Sequence, residues 1–113
     1  MVIIRADGNG MIGMGHVMRC LSIADALRKQ LEDVLFVTAC QECVSVIQAK
    51  GYEVVYFNND YRCMEEEIVP FQTLILDKQA DIVLVDSYQV TGPYMKALSE
   101  VVTLAYMDDM GHS

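Results

Sequence analysis

One histidine lies in a glycine-rich stretch near the start of the chain that combines residue types suited to general-base chemistry beside a bound ligand. The stretch runs from Arg5 to Cys20, and within it His16 directly follows Gly15. An apolar run precedes the stretch and apolar residues at helical spacing follow it, so we expect His16 at the start of a helix. The positive end of the helix dipole disfavours an imidazolium there. The sequence therefore predicts a neutral imidazole that can act as a general base.

The glycines of this stretch indicate a sharp turn where the backbone can approach a ligand. We expect Gly13 and Gly15 to take a positive φ, and backbone N–H groups of such a turn can face a bound group. No Gly-Lys-Ser/Thr follows, so this is not a P-loop. The segment Gly8–Gly13 is a poor dinucleotide fingerprint, because Gly15 and His16 follow before a helix can start. A tight turn without a ligand stays an alternative.

Apolar runs that alternate with helical patterns predict the elements that hold this stretch. We expect strands at Met1–Ala6, Val34–Ala39, Tyr52–Phe57, Asp81–Asp86 and Val101–Met107, and helices at 16–31, 44–50, about 65–79 and 92–100. This order is typical of a doubly wound, mostly parallel, Rossmann-like α/β sheet, and we expect the strand order 3-2-1-4-5. Ligands bind such sheets beyond the carboxyl ends of the strands, where the strand order reverses.

Polar side chains follow three of the predicted strands and are expected at that edge of the sheet. Asp7 follows the first strand, Asp86 and Tyr88 end the fourth, and Asp108 and Asp109 follow the fifth. The carboxyl ends of parallel strands meet at one edge, so these side chains should lie near the glycine turn. The topology and the glycine turn therefore predict one site.

Composition and charge limit the possible partners. The chain has 113 residues, of which 53% are hydrophobic and 21% charged, and this indicates one globular domain. The net charge is −8 and the eight basic residues are scattered, so nucleic acid is not an expected partner. No apolar run reaches the roughly 18 residues that span a membrane, and no signal-peptide pattern opens the chain. We expect a cytoplasmic protein without a membrane partner.

Two further patterns are weaker candidates for chemistry. Cys40 and Cys43 form a C-x-x-C without a second pair at zinc spacing, so core or surface thiols are favoured over a redox pair. The acids Glu65–Glu67 are expected to begin a helix as a solvated face rather than to bind a metal. No cluster of histidines and acids has ligand spacing, and neither a metal nor a cofactor is expected.

Two segments resemble the UDP-sugar hydrolases of pseudaminic acid biosynthesis and their spore-coat polysaccharide relatives, the PseG and SpsG families. The first joins Arg5–Gly8 with Ile12–Ser22, and the second joins Leu84–Tyr88 with Leu104–Asp109. They stand in family order and span nearly the whole chain. The resemblance implies that residues 1–113 form the N-terminal Rossmann-like half of a two-domain fold of the glycosyltransferase-B kind. A C-terminal nucleotide-binding domain, absent from this chain, would then grip the UDP.

The resemblance also implies a reaction and the residues that carry it. Water attacks the anomeric carbon of UDP-2,4-diacetamido-2,4,6-trideoxy-β-L-altropyranose, the configuration inverts, and UDP leaves without a metal or cofactor. His16 matches the catalytic base. The candidates for binding the UDP-linked amino sugar are Asp7, Gly8, Gly13, Gly15, Arg19, Asp86, Tyr88 and Asp109. For the acids, capping of a turn is the alternative, and for Arg19 it is an ion pair with Asp7 or Asp86.

Other functions are compatible with the same plan. In a glycosyltransferase of the same two-domain kind an acceptor hydroxyl attacks instead of water, and the residues that decide this lie outside the chain. A receiver-type signalling domain is not favoured, because it needs an acidic pair after the first strand and a lysine after the fifth. A free-standing sugar-binding domain is the third alternative. Only Arg5 and Arg19 are basic near the glycine turn, so we expect no turnover by the 113 residues alone.

Overall fold

The computed structural model describes residues 1–87 and 89–107, which form a parallel sheet between two layers of helices. The strands are β1 (Val2–Ala6), β2 (Val34–Thr38), β3 (Glu53–Tyr56), β4 (Ile82–Asp86) and β5 (Thr103–Tyr106). The helices are α1 (Gly15–Lys29), α2 (Val44–Ala49), α3 (Ile68–Lys78) and α4 (Gly92–Ser99), and short 3-10 turns at Gln41–Cys43 and Met64–Glu67 precede α2 and α3.

The sheet has the order β3-β2-β1-β4-β5 with all neighbours parallel, which confirms the predicted doubly wound Rossmann-like fold and its strand order. The order reverses between β1 and β4, which pair directly from Val2 opposite Ile82 to Ala6 opposite Asp86. Asp7 and Ser87 therefore leave neighbouring strands at the same edge of the sheet. This is the edge where ligands bind in doubly wound folds.

Most element boundaries agree with the sequence patterns to within about two residues, as is usual for helix ends. Gly51 follows α2 with a φ of 87°, so it ends that helix as predicted. The clearest difference is the start of α3. The acids Glu65–Glu67 form a 3-10 turn before that helix, and Glu67 is buried rather than solvated.

The two faces of the sheet bury separate apolar layers. Ile4 and Ala6 of β1 pack toward α1 and α2, and Ile3 packs toward α3 and α4. A central parallel strand buries both faces, which explains the unbroken apolar run at the start of the chain. In the part of the chain that the structure describes, no helix is long and apolar enough to cross a membrane.

Candidate active site

The glycine-rich stretch folds into a small closed turn between β1 and α1. Asn9 and Gly13 form an isolated antiparallel bridge: the Asn9 amide donates to the Gly13 carbonyl at 3.2 Å, and the Gly13 amide donates back at 2.8 Å. Gly13 has a φ of 77°, as predicted, and this left-handed conformation lets the chain reverse. The turn therefore brings the chain back to the sheet edge where α1 begins.

The amides of this turn are used within the protein. Asn9 Oδ1 accepts from the amides of Met11 at 2.8 Å and Ile12 at 3.0 Å, and the Gly10 amide donates to Glu42 Oε2 at 3.0 Å. With the two bonds of the bridge, every amide from 9 to 13 has an internal acceptor. The carbonyls of the bridge and the side chains of Asn9 and Glu42 thus hold these N–H groups, and their contact with a ligand stays a prediction.

Gly8 is required by close packing, whereas the structure shows no requirement for glycine at position 15. A Cβ on Gly8 would lie 2.6 Å from Met14 Sδ and 2.9 Å from Val17 Cγ2, so Gly8 lets α1 approach the end of β1. Gly15 does not take the predicted positive φ, because it already belongs to the first turn of α1. Among the described residues, no heavy atom outside its own helix and neighbours lies within 4 Å of a Cβ built on Gly15.

His16, Arg19 and Asp86 form one hydrogen-bonded group at the start of α1. His16 Nδ1 lies 2.6 Å from Asp86 Oδ1. Arg19 binds the same carboxylate through Nη2 to Oδ1 at 2.7 Å and Nε to Oδ2 at 3.0 Å. Cys20 Sγ is a further donor to Oδ2 at 3.4 Å. The ion pair that was the alternative role of Arg19 is therefore present, with Asp86 and not with Asp7.

This arrangement fixes the orientation of the histidine ring. An ionised carboxylate only accepts hydrogen bonds, so Nδ1 of His16 carries the proton and donates to Asp86. In a neutral ring of that tautomer, Nε2 is the nitrogen that can accept a proton. A carboxylate that orients a histidine in this way is a recurring support for a general base. Asp86 is 1% exposed, so water does not compete strongly for its oxygens.

Asp7 belongs to a second, fully buried group. Its Oδ1 accepts from Arg5 Nη1 at 2.7 Å, Thr38 Oγ1 at 3.0 Å and the Ala39 amide at 2.9 Å. Arg5 also donates to both oxygens of Glu67, through Nε at 2.6 Å and Nη2 at 2.7 Å. Burial opposes the charge of Arg5, but the hydrogen bonds with Glu67 and the nearby carboxylates outweigh it and raise the pKa of the guanidinium. Arg5 is thus a structural cation.

A pocket lies between the two groups. Within the described residues it is lined by Asp7, Ile12, His16, Asp86, Ser87 and Gln89. Asp7 Oδ2 is buried and has no hydrogen-bond partner in that part of the chain, in contrast to Oδ1. Buried polar atoms are almost always paired, and an exception calls for an explanation.

The structure brings together several residues that the sequence singled out. His16, Asp7 and Asp86 line one pocket, and Arg19 holds Asp86. Tyr88, Asp108 and Asp109 lie outside the described residues. Sequence reasoning missed the pairing of Arg5 with Glu67, although a charged residue inside an apolar strand signals a buried partner. It also assigned no ligand contact to Ile12, Ser87 and Gln89, which line the pocket.

The remaining candidates do not form a second site. Burial raises the pKa of Cys40 to about 12 and raises that of Cys43, so neither thiol is an activated nucleophile. Both are free thiols of the core. Across 1–87 and 89–107, no group of three or more histidines, cysteines or acids could hold a metal ion.

The fold and the position of the pocket define a Rossmann-like domain with a candidate site at the reversal of strand order. The chain is similar in structure to a glycosyltransferase from Rickettsia africae ESF-5, with a TM-score of 0.66 at 12% sequence identity. The match covers 93% of this chain and 28% of the glycosyltransferase. The fold is therefore glycosyltransferase-like, and the chain corresponds to a minor part of that protein.

In sequence, the chain is similar to the uncharacterized protein MJ1062 of Methanocaldococcus jannaschii. The two are 30% identical over 104 residues, which is 88% of this chain and 19% of the relative. The chain thus spans about a fifth of the length of this curated relative. No protein-family model matches the chain.

Proposed function

We propose that this chain is the sugar-binding and catalytic half of a nucleotide-sugar hydrolase that acts together with a second, nucleotide-binding domain. The substrate is a UDP-linked amino sugar, and water attacks its anomeric carbon with inversion. The observation that carries the proposal is the contact of 2.6 Å between His16 Nδ1 and Asp86 Oδ1 beside a pocket at the reversal of strand order. The glycosyltransferase-like fold and the two sequence segments support the same class.

In this proposal His16 is the general base. Its Nε2 takes a proton from the attacking water while the bond from the anomeric carbon to the UDP oxygen breaks. Inversion requires base and leaving group on opposite faces of the sugar, with room for one water between base and carbon. Asp86 holds the ring, and Arg19 holds Asp86 in turn, so both position the base.

The nucleotide is assigned to another domain, because this pocket has few groups for a diphosphate. Arg5 is fully buried between Asp7 and Glu67, and Arg19 binds Asp86 through two nitrogens. The amides from 9 to 13 have internal acceptors. A second domain that supplies the phosphate contacts would close over the pocket at the carboxyl edge of the sheet.

The second candidate is a glycosyltransferase, which the structural neighbour favours. The same His16 would then deprotonate an acceptor hydroxyl instead of water. The two reactions differ in their product: hydrolysis releases a free sugar with inverted anomeric configuration, and transfer leaves the sugar on an acceptor.

The test compares wild type with His16→Asn in a two-domain protein that contains this chain, incubated with UDP-linked acetamido sugars and excess chelator. We expect UDP release with inversion at the anomeric carbon by nuclear magnetic resonance. His16→Asn should lower kcat by about 10²–10⁴-fold, the usual contribution of a positioned base, with an unchanged melting temperature. Ser22→Ala, on the exposed face of α1, is the control and should leave kcat unchanged.

Three results would contradict this function. The first is a loss of less than about fivefold in kcat for a folded His16→Asn protein, which would make His16 a turn residue. The second is a requirement for an acceptor before UDP is released, which would favour transfer. The third is turnover by the 113 residues alone at the full rate, which would show that no second domain is needed.

A further inference from the structure

We propose that Asp7 Oδ2 is a hydrogen-bond acceptor subsite that takes an N–H or O–H donor of the sugar, and that the pocket around it excludes phosphate. The inference deepens the proposed function and rests on it only in that the ligand is a sugar. It specifies that Oδ2 is the atom of Asp7 that contacts the ligand, that this atom acts as an acceptor, and that its partner is an N–H or O–H group.

The first observation is the unequal use of the two oxygens of one carboxylate. Oδ1 accepts three hydrogen bonds, from Arg5, Thr38 and the Ala39 amide. Oδ2 is buried without a partner among the described residues, and Asp7 lines the pocket. Leaving a buried carboxylate oxygen unpaired costs free energy, so another favourable interaction must compensate for this cost. A donor on the ligand supplies the missing bond.

The second observation is that Arg5, the cation of this buried group, cannot easily turn a donor toward Oδ2. Arg5 uses Nε and Nη2 on Glu67 and Nη1 on Asp7 Oδ1, and it is fully buried. Glu67 is fixed from the other side by Tyr94, whose hydroxyl donates to its Oε2 at 2.6 Å. The three bonds to Oδ1 likewise resist rotation of the carboxylate. The acceptor is therefore held in place before the ligand arrives.

The third observation is the balance of charge. In the buried group one guanidinium faces two carboxylates, Asp7 and Glu67, so the group carries an excess negative charge. The second acid of the pocket, Asp86, is matched by Arg19. A negative charge in a poorly solvated place repels an anion and attracts donors. The amides of residues 9 to 13 are already bonded and do not offset this repulsion.

The test exploits the three bonds at Oδ1. In Asp7→Asn they require an acceptor, so the amide oxygen takes the Oδ1 position and the amide NH₂ replaces Oδ2. The variant thus turns an acceptor into a donor at one atom of the pocket. Asp77→Asn, on the exposed face of α3, makes the same change of charge and is the matched control.

Binding is measured on the 113-residue protein by nuclear magnetic resonance, through the amides of Ala39 and Gln89. The probes are N-acetylglucosamine, N-acetylgalactosamine, N-acetylmannosamine and inorganic phosphate. We expect at least one acetamido sugar to shift both amides in wild type and in Asp77→Asn. Phosphate should not shift them, and Asp7→Asn should weaken sugar binding by about tenfold or more, the usual effect of a lost hydrogen bond to a charged group.

The proposal is overturned if phosphate shifts these amides as strongly as the sugars, if none of the sugars does, or if a folded Asp7→Asn binds like wild type. If Asp7→Asn does not fold, the comparison of sugar with phosphate on wild type decides. Sugar binding without UDP release would contradict only the proposed hydrolysis. UDP release without these shifts would contradict only the acceptor subsite.

Discussion

Asp7 and Asp86 show how two acids of equal burial take different parts in one pocket. Asp86 accepts from His16, Arg19 and Cys20 and so has donors on both oxygens. Asp7 has all its donors from the described residues on one oxygen. The difference comes from their neighbours, because both residues lie at the carboxyl ends of the adjacent strands β1 and β4. In the proposed function Asp86 therefore positions the base, and Asp7 contacts the ligand.

Single residues are also the subject of a prediction for Gly8 and Gly15. Gly8→Ala should lower the free energy of unfolding by about 1–3 kcal/mol, because its Cβ would overlap Met14 Sδ and Val17 Cγ2. Gly15→Ala should be neutral or raise it by up to about 1 kcal/mol, because the site is open and helical. Urea denaturation of both variants measures the difference. Equal losses in the two variants would mean that close packing at Gly8 is not what restricts that position.

At the scale of the elements, the 3-10 turn Met64–Glu67 joins two parts of the sheet edge. Glu67 binds Arg5 of β1 and the Tyr94 hydroxyl of α4. Glu65 Oε2 accepts from Thr91, the residue that caps α4. The turn therefore links β1 to the helix that follows the pocket-lining residue Gln89. An element that sequence reasoning treated as a solvated helix start instead fixes the geometry under the pocket.

The importance of this link is tested by two neighbouring glutamates. Glu67→Gln should lower the free energy of unfolding by about 3 kcal/mol, because it breaks a buried ion pair and leaves Arg5 poorly compensated. Glu66→Gln, the same substitution on an exposed neighbour, should stay within about 0.5 kcal/mol of wild type. Urea denaturation at pH 7 gives both values. A loss at Glu67 as small as that at Glu66 would show that the buried pair contributes little.

At the scale of the whole molecule, several buried groups titrate only at alkaline pH. Burial raises the pKa of the thiols of Cys20, Cys40 and Cys43, and burial with the nearby charge of Glu67 raises that of the Tyr94 hydroxyl. The folded-state pKa of each group lies above its unfolded value. The stabilisation that each group gives to the folded state is therefore complete below its pKa in the unfolded chain, which is about 8.5 for cysteine and about 10 for tyrosine. This stabilisation is lost as the pH rises above that value.

We accordingly expect the free energy of unfolding to fall above about pH 9 under reducing conditions. Each group adds up to about 1.4 kcal/mol per pH unit once its unfolded form is ionised. Cys40→Ala removes one of these groups, so the free energy of unfolding should fall less steeply with pH in this variant. Cys63→Ala changes an exposed cysteine and is the control. Urea titrations at pH 7, 9 and 10.5 measure the slope. A slope that Cys40→Ala leaves unchanged would contradict the assignment.

The fold could be predicted from the sequence because its signals are local. Apolar runs, helical spacing and glycines such as Gly51 and Gly13 act within one element or one turn. The order of elements then restricts the topology, and the predicted strand order was correct. The same reasoning indicated that Asp7, His16 and Asp86 meet at one edge. By itself, the sequence thus determined the class of fold and the location of the candidate site.

Only the tertiary structure decided which charges pair, and therefore what each residue of the site can do. Arg5 and Glu67 are 62 positions apart, and His16 and Asp86 are 70 apart. Their contacts depend on the register of the sheet and on the depth at which α1 packs, which periodicity does not encode. For this reason the sequence misassigned Glu67 to the surface and Gly15 to a positive φ, and it did not indicate the internal hydrogen bonds of the turn amides. The packing that buries Arg5 between two acids also leaves Asp7 Oδ2, at the pocket, without a partner among the described residues.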